Sequence, residues 1–391
     1  MEDAHDVKIG LKYGLDDWSF FAVFDGHAGK RAAAFAAWNL LDFILRDSQF
    51  KLDTGNQSDQ MYIEPDIEKL DDALRVENSS ANKPSEKPNE NEKTTEQSSD
   101  SVPKSKFASF PVLEQLEAVQ NAIKSGFLRI DQSMRDSKQD MSGCTAICTL
   151  ISPTHLFIAN CGDSRAVLYD GTLPKFVTDD HKPYKPRERQ RILNAGGFAT
   201  QRINGTLAVS RALGDFEFKK NEERGPCEQL VSPEPEVTVI ERHFQDEFLI
   251  LACDGIWDVM NNDDLCEFIR YKLNIEENLE KICSSVLDVC LNKGSRDNMS
   301  IIIVVFENAP RFSKSACDLE KEHDEELVRF AESIDDHFVD FEDFLFCVKQ
   351  ALSQNPIHLP PGAGFEAKYD VLREVFDRKV EKETEIEKPK D

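Results

Sequence analysis

Four aspartates stand at the ends of apolar runs. Asp25 directly follows FFAVF, Asp163 lies just past HLFIAN, Asp254 directly follows FLILAC, and Asp297 just precedes SIIIVVF. Short runs rich in aromatic and β-branched residues read as buried strands. Each carboxylate is therefore held at the rim of a core, where burial without a partner is costly. Several such groups at one rim repel one another unless cations lie between them. Oxygen ligands without a His or Cys cluster select hard divalent ions, Mg²⁺ or Mn²⁺ rather than Zn²⁺. An Asp-Gly step is first of all a turn. Here Asp25-Gly26 and Asp254-Gly255 both abut apolar runs, and glycine lets its own carbonyl or a bound cluster approach the backbone closely. Taken singly, His27 is a helix N-terminal residue. Beside a carboxylate-metal site it becomes a candidate proton donor, because imidazole titrates near neutrality.

Positioning these groups falls to a mixed set of elements. CTAICTL, HLFIAN, RAVLY, EVTVI, EFLILAC and SIIIVVF read as strands. Helical spacing covers Ala28 to about Arg46, VLEQLEAVQNAIKSGFLRIDQSMRD, Lys185–Asn194, Asp263–Tyr271 and Leu279–Leu291. The hairpin-like succession predicts antiparallel sheets packed between helices rather than a doubly wound parallel sheet. From about Thr54 to Ser105 the chain turns polar and acidic. Such a stretch cannot offset its ordering entropy by burial and is expected to be a disordered insertion. After Pro310 three helices are expected near Asp318–Ile334, Phe341–Ser353 and Phe365–Val380, with no further strand. The expected division is a catalytic unit over 1–310, a helical extension over 311–382 and a frayed tail over 383–391.

The bulk composition narrows the partners. A net charge of −26, from 73 acidic and 47 basic residues, argues against nucleic acid or an anionic membrane as a general partner. The ten cysteines form no CxxC pairs, and several lie inside apolar runs. This pattern is expected of a reduced protein of the cytoplasm or nucleus. No apolar run approaches the roughly 18 residues of a membrane span, and a monomer is expected.

The strings MEDAH, FAVFDGHAG, SGCTA, ANCGDSRAVL, DHKP, RINGTLAVSRALGD, SPEPEV, FLILACDGIWDVM and GSRDNMS occur in this order. In that they resemble the metal-dependent, type 2C, protein serine/threonine phosphatases, over roughly Met1 to Pro310. LPPGAGFEAKYDVLREVFDR is similar to the helical extension of the animal alpha and beta members. The resemblance implies an α+β fold: two antiparallel sheets in a sandwich flanked by helices, plus a small all-α C-terminal extension.

It further implies a function and its residues. Phosphoserine and phosphothreonine in protein substrates would be hydrolysed by a metal-bridged hydroxide, without a phosphoenzyme. Two Mg²⁺ or Mn²⁺ ions would be held, one by Asp25, Glu2 and the carbonyl of Gly26, the other by Asp254 and Asp297, with Asp25 bridging. Asp3 resembles an outer carboxylate supporting these ligands. A weaker third ion resembles one held by Asp163, Asp254 and Asp258. His27 resembles the general acid. Asp180-His181-Lys182-Pro183 and the helix after it look like a flap beside the cleft. Arg211 is open to two readings, a structural ion pair by default or a substrate contact.

In the family pattern, a strand and a phosphate-binding arginine precede the MED motif, whereas this sequence starts at that methionine. An incomplete gene model is the expected explanation, over a genuine short product, because a lost strand costs much of a domain's stability. The alternative functional reading is a catalytically impaired metal-binding module that captures phosphoproteins. Retention of Asp25, His27, Asp254 and Asp297 together favours the enzyme.

Overall fold

The computed structural model describes residues 1–12, 14–47, 50, 112–137, 141–334 and 338–386. The insertion expected over about 54–105 lies outside the described residues, as do 387–391. The first half of the fold comprises β1 (Ala4–Leu11), β2 (Leu15–Phe24), β3 (Gly26–His27), α1 (Arg31–Leu45), α2 (Val112–Asp136), β4 (Gly143–Cys144), β5 (Ala146–Ile151) and β6 (His155–Cys161). Next come β7 (Arg165–Tyr169), β8 (Pro174–Val177), α3 (Pro186–Asn194), β9 (Leu213–Gly214), β10 (Glu236–Glu241) and β11 (Phe248–Ala252). The remainder is α4 (Asp254–Trp257), α5 (Asn262–Ile275), α6 (Leu279–Asn292), β12 (Ile301–Val305), α7 (Lys314–Glu332), α8 (Phe341–Gln354) and α9 (Tyr369–Ile386).

One sheet has the order β1-β2-β5-β6-β10, a second β12-β11-β7-β8, and every pairing in them is antiparallel. Side chains alternate between the faces of a strand, and the two faces of each sheet meet different partners. Val23, Ile147 and Ile158 of the first sheet share an apolar layer with Leu168, Leu249 and Leu251 of the second. The neighbours of Val23 on the opposite face, Phe20 and Phe24, pack with Leu40 and Ile44 of α1 and Phe127 and Ile130 of α2. Phe248 and Ile250 of β11 turn outward onto Phe268 of α5 and Ile282 and Val286 of α6. Each such side chain contributes about 1.5–3 kcal/mol when fully buried. The result is the expected antiparallel sandwich between helices.

The C-terminal helices form an apolar cluster of their own, built on Leu327, Phe344, Val348, Leu372 and Val375. They are also fastened to the sandwich. The buried Lys368 ammonium donates to Glu320 (2.6 Å) and to Asp324, and Glu320 also takes the Tyr271 hydroxyl from α5. Gly362, at φ +70°, lies so close to α5 that a Cβ there would stand 1.9 Å from the Asp264 carbonyl oxygen.

Four features depart from the sequence reading. The MED segment continues as strand β1, and β8 was not anticipated; both bury few side chains, so their apolar pattern is weak. A third sheet joins β3, β4 and β9, each only two residues long, below the length at which periodicity is readable. Helix α9 runs to Ile386, into the stretch read as a frayed tail.

Candidate active site

Asp25 is the first residue past β2, and Asp254 the second past β11, opening α4. The two strands belong to different sheets, so the two layers deliver their carboxylates to a common end of the sandwich. The Asp25 carbonyl is pinned by the Thr145 N–H at 2.9 Å, and the Thr145 hydroxyl lies 2.7 Å from that of Ser164, beside Asp163.

The electrostatics follow from this convergence. Burial pushes the Asp25 carboxyl up to about 9, and the charges of Asp254, Asp3, Asp163 and Asp297 add to the rise. Asp254 is pushed up to about 7 by burial, then by Asp163 and Asp258, with the Lys182 charge opposing. Asp163, 2% exposed, is raised mainly by burial. A group of acids this strongly perturbed is short of positive charge.

Glu2 and Asp3 reach this end through β1. The Glu2 N–H donates to the Asn298 Oδ1 at 2.7 Å, and Asp3 Oδ2 accepts from the Ser300 hydroxyl at 2.7 Å. The turn carrying Asp297 is thereby tied to the chain start. Both Asp-Gly steps are crowded by other backbone. A Cβ on Gly26 would lie 2.2 Å from the Glu2 carbonyl oxygen, and one on Gly255 2.2 Å from that of Asn298. The close approach foreseen for a bound cluster is thus made, in the structure, by neighbouring chain.

His27 follows on β3, and the next residue, Ala28, holds an unfavourable φ of +56°. Its Nε2 lies 2.7 Å from Asp215 Oδ2. Asp215 is 4% exposed and itself left-handed, at φ +53°, and its N–H donates to the Ser142 carbonyl. Gly143 makes room for it: a Cβ there would strike the Asp215 carboxylate at 2.4 Å. Burial alone would pull the imidazole down. The Asp215 hydrogen bond and charge, helped by Asp163 and Glu2, outweigh it and hold His27 above its usual value. Asp215 was missed at the sequence level. Its signal was the last letter of SRALGD, an acid after a glycine and beside no apolar run.

The donor set fits hard divalent cations. It is all oxygen, its acids outnumber the single lysine paired to Asp163, and Asp3 Oδ1 is buried without a hydrogen-bond partner. Among the described residues no three His, Cys, Asp or Glu side chains close on one point as a formed metal shell. A Lys182–Asp163 ion pair occupies part of the site. Arg211 lies elsewhere. It is 2% exposed and spends its guanidinium on Glu188 (2.6 Å) and the Glu234 carbonyl (3.1 Å), an ion pair inside the protein.

Comparison with known proteins agrees with this picture. The family model for protein phosphatase 2C matches residues 1–94 and 89–299, and that for the protein serine/threonine phosphatase 2C C-terminal domain matches 300–377. Human protein phosphatase 1B is 42% identical over 386 residues, covering 97% of this chain and 70% of that protein. Human protein phosphatase 1A is also 42% identical over 386 residues, covering 97% and 86%. Among solved structures, a phosphatase from Toxoplasma gondii superposes with a TM-score of 0.53 at 22% identity, over 78% of this chain and 88% of that one. At that identity the superposition speaks for the fold alone. The matched family models span nearly the whole chain, and the chain belongs to the metal-dependent protein phosphatase 2C family as a protein serine/threonine phosphatase.

Proposed function

We propose that the chain hydrolyses phosphoserine and phosphothreonine esters in proteins by direct attack of water on phosphorus, with no phosphoenzyme. Glu2, Asp25, the Gly26 carbonyl, Asp254 and Asp297 would hold two Mg²⁺ or Mn²⁺ ions, and Asp163, Asp254 and Asp258 a weaker third. Such ions, when bound, acidify water and neutralise charge on the transferred phosphoryl group.

The chain's own residues carry the rest. An alkoxide of serine or threonine is a poor leaving group and needs a proton as the P–O bond breaks. His27 would give one: Asp215 holds Nε2, and Nδ1 would be the ring atom turned to the leaving group. Burial works against the imidazolium, and the hydrogen bond and charge of Asp215 favour it. Asp3 braces the Asp297 turn through Ser300.

Two thiols near the site speak against a cysteine nucleophile. Cys253, next to Asp254, is raised by burial and by Asp3, and Cys161 is pushed up to about 12 by burial. Neither is a thiolate near neutral pH. The observation that carries the reading is the meeting of Asp25 and Asp254, from two sheets, beside a histidine backed by Asp215. The test is release of phosphate from a phosphothreonine peptide with Mn²⁺ and with excess EDTA. Undiminished turnover in EDTA would sink the reading.

A further inference from the structure

Lys182 stands in the middle of the acidic site, and the chemistry described above makes no use of it. Its ammonium is bonded to Asp163 Oδ2. Its charge also acts on Asp254. The backbone just before it is fixed. The His181 N–H donates to the Gly162 carbonyl at 2.9 Å, His181 Nδ1 accepts the Gly162 N–H at 3.1 Å, and the His181 carbonyl accepts the Ser210 hydroxyl at 2.7 Å. The neighbouring acids are already engaged, Asp180 by the fork of Arg165 and Asp179 by Lys185. Asp163 is therefore the carboxylate to which the ammonium is delivered.

We infer that Lys182 is a resident counter-ion that competes with a divalent cation for Asp163. The inference rests on the reading that Asp163, Asp254 and Asp258 hold the third cation. Asp163 is almost fully buried, so in the metal-poor state its charge needs a partner nearby. A lysine suits this task because its compact charge sits on a flexible stem. The Lys182 side chain keeps 24% of its surface exposed, which leaves a way out to solvent. A dication entering at Asp163 must first displace the ammonium, and the affinity of that position is lowered by the strength of the displaced pair. The two positions built on Asp25 and Asp297 carry no such competitor among the described contacts. One charge-assisted hydrogen bond exchanged corresponds to a change of about tenfold in affinity.

The test is calorimetric titration of the whole chain with Mn²⁺, comparing wild type, Lys182→Gln, Lys182→Arg and Asp163→Asn. Lys182→Gln is expected to tighten the weakest site most, by about tenfold, with a smaller gain at the position that shares Asp254, Lys182→Arg close to wild type and Asp163→Asn lacking the weakest site. A parallel readout uses wild type alone. Reductive methylation of Lys182, followed by mass spectrometry, should speed up only as the last site fills, even if a variant fails to fold. An unchanged weak site in Lys182→Gln, together with its loss in Asp163→Asn, means a cation binds there and Lys182 does not compete. A Lys182 labelling rate indifferent to Mn²⁺ overturns the inference in the same way. Full stoichiometry in Asp163→Asn removes the underlying site, and the inference with it.

Discussion

His27 Nε2 and Asp215 Oδ2 lie 2.7 Å apart although 188 positions separate them in the chain. The contact depends on the sheet of β3, β4 and β9, whose strands contribute His27 and Gly143 and lead directly into Asp215. Such a sheet is too short to stabilise the fold appreciably, and its evident product is the placement of an imidazole against a carboxylate.

Asp215→Ala and Asp215→Asn should therefore slow substrates that need protonation of the leaving group. Turnover of a phosphothreonine peptide is expected to fall at least about tenfold, toward the range lost when a general acid is removed. Hydrolysis of an aryl phosphate, whose leaving group needs little help, should change by less than about threefold. Equal slowing of both would mean that Asp215 only supports the fold.

The carboxyl groups make a signed prediction about pH. Asp25 and Asp254 have folded-state values of about 9 and about 7, above the ordinary aspartate value of 3.8. Between 3.8 and those values the folded state binds more protons than the unfolded one, so stability falls as pH rises. Metal-free protein should thus melt lower at pH 8 than at pH 6. Mn²⁺ should reverse the trend and release protons on binding, visible as a buffer-dependent enthalpy. A flat metal-free profile would contradict the convergence of these acids.

Gly26 and Gly255 are sites where a single methyl group meets fixed backbone. Gly26→Ala and Gly255→Ala should each destabilise by about 1–3 kcal/mol through overpacking. Gly225→Ala is the control, since its nearest neighbour would be a flexible Glu228 oxygen at 3.7 Å and its φ is ordinary. Thermal melts of the three variants decide the matter.

Glu188 compensates two arginines, Arg191 and Arg211, and is held down at about 2 against its burial by their hydrogen bonds and charges. Glu188→Gln leaves both guanidinium groups without that partner and should cost about 3–5 kcal/mol. The loss should appear in denaturant midpoints. A normal midpoint with a raised KM would instead return Arg211 to the role of substrate contact.

Much of this molecule was legible one residue at a time. Apolar runs such as FLILAC and SIIIVVF announced β11 and β12: β11 is buried on both faces, where no alternation is needed, and β12 pairs half-buried beside it. Aspartates at their ends marked the rim where charge would gather, and the helical spacing after Pro310 announced α7, α8 and α9. The motifs in order named the family. Tertiary structure decided what depended on contacts between distant segments. Asp215 and Lys182 stood inside the motifs SRALGD and DHKP, but nothing local gave either a role, since an acid or a lysine in a loop is ordinary. Each acquires its role from a partner brought alongside by sheet pairing or a pinned loop. Arg211, open to two readings as a letter, was settled into its pair by Glu188 on α3. Local propensity acts over a few residues, whereas the energy of a buried charge depends on everything within several ångströms of it, and only the folded chain specifies that.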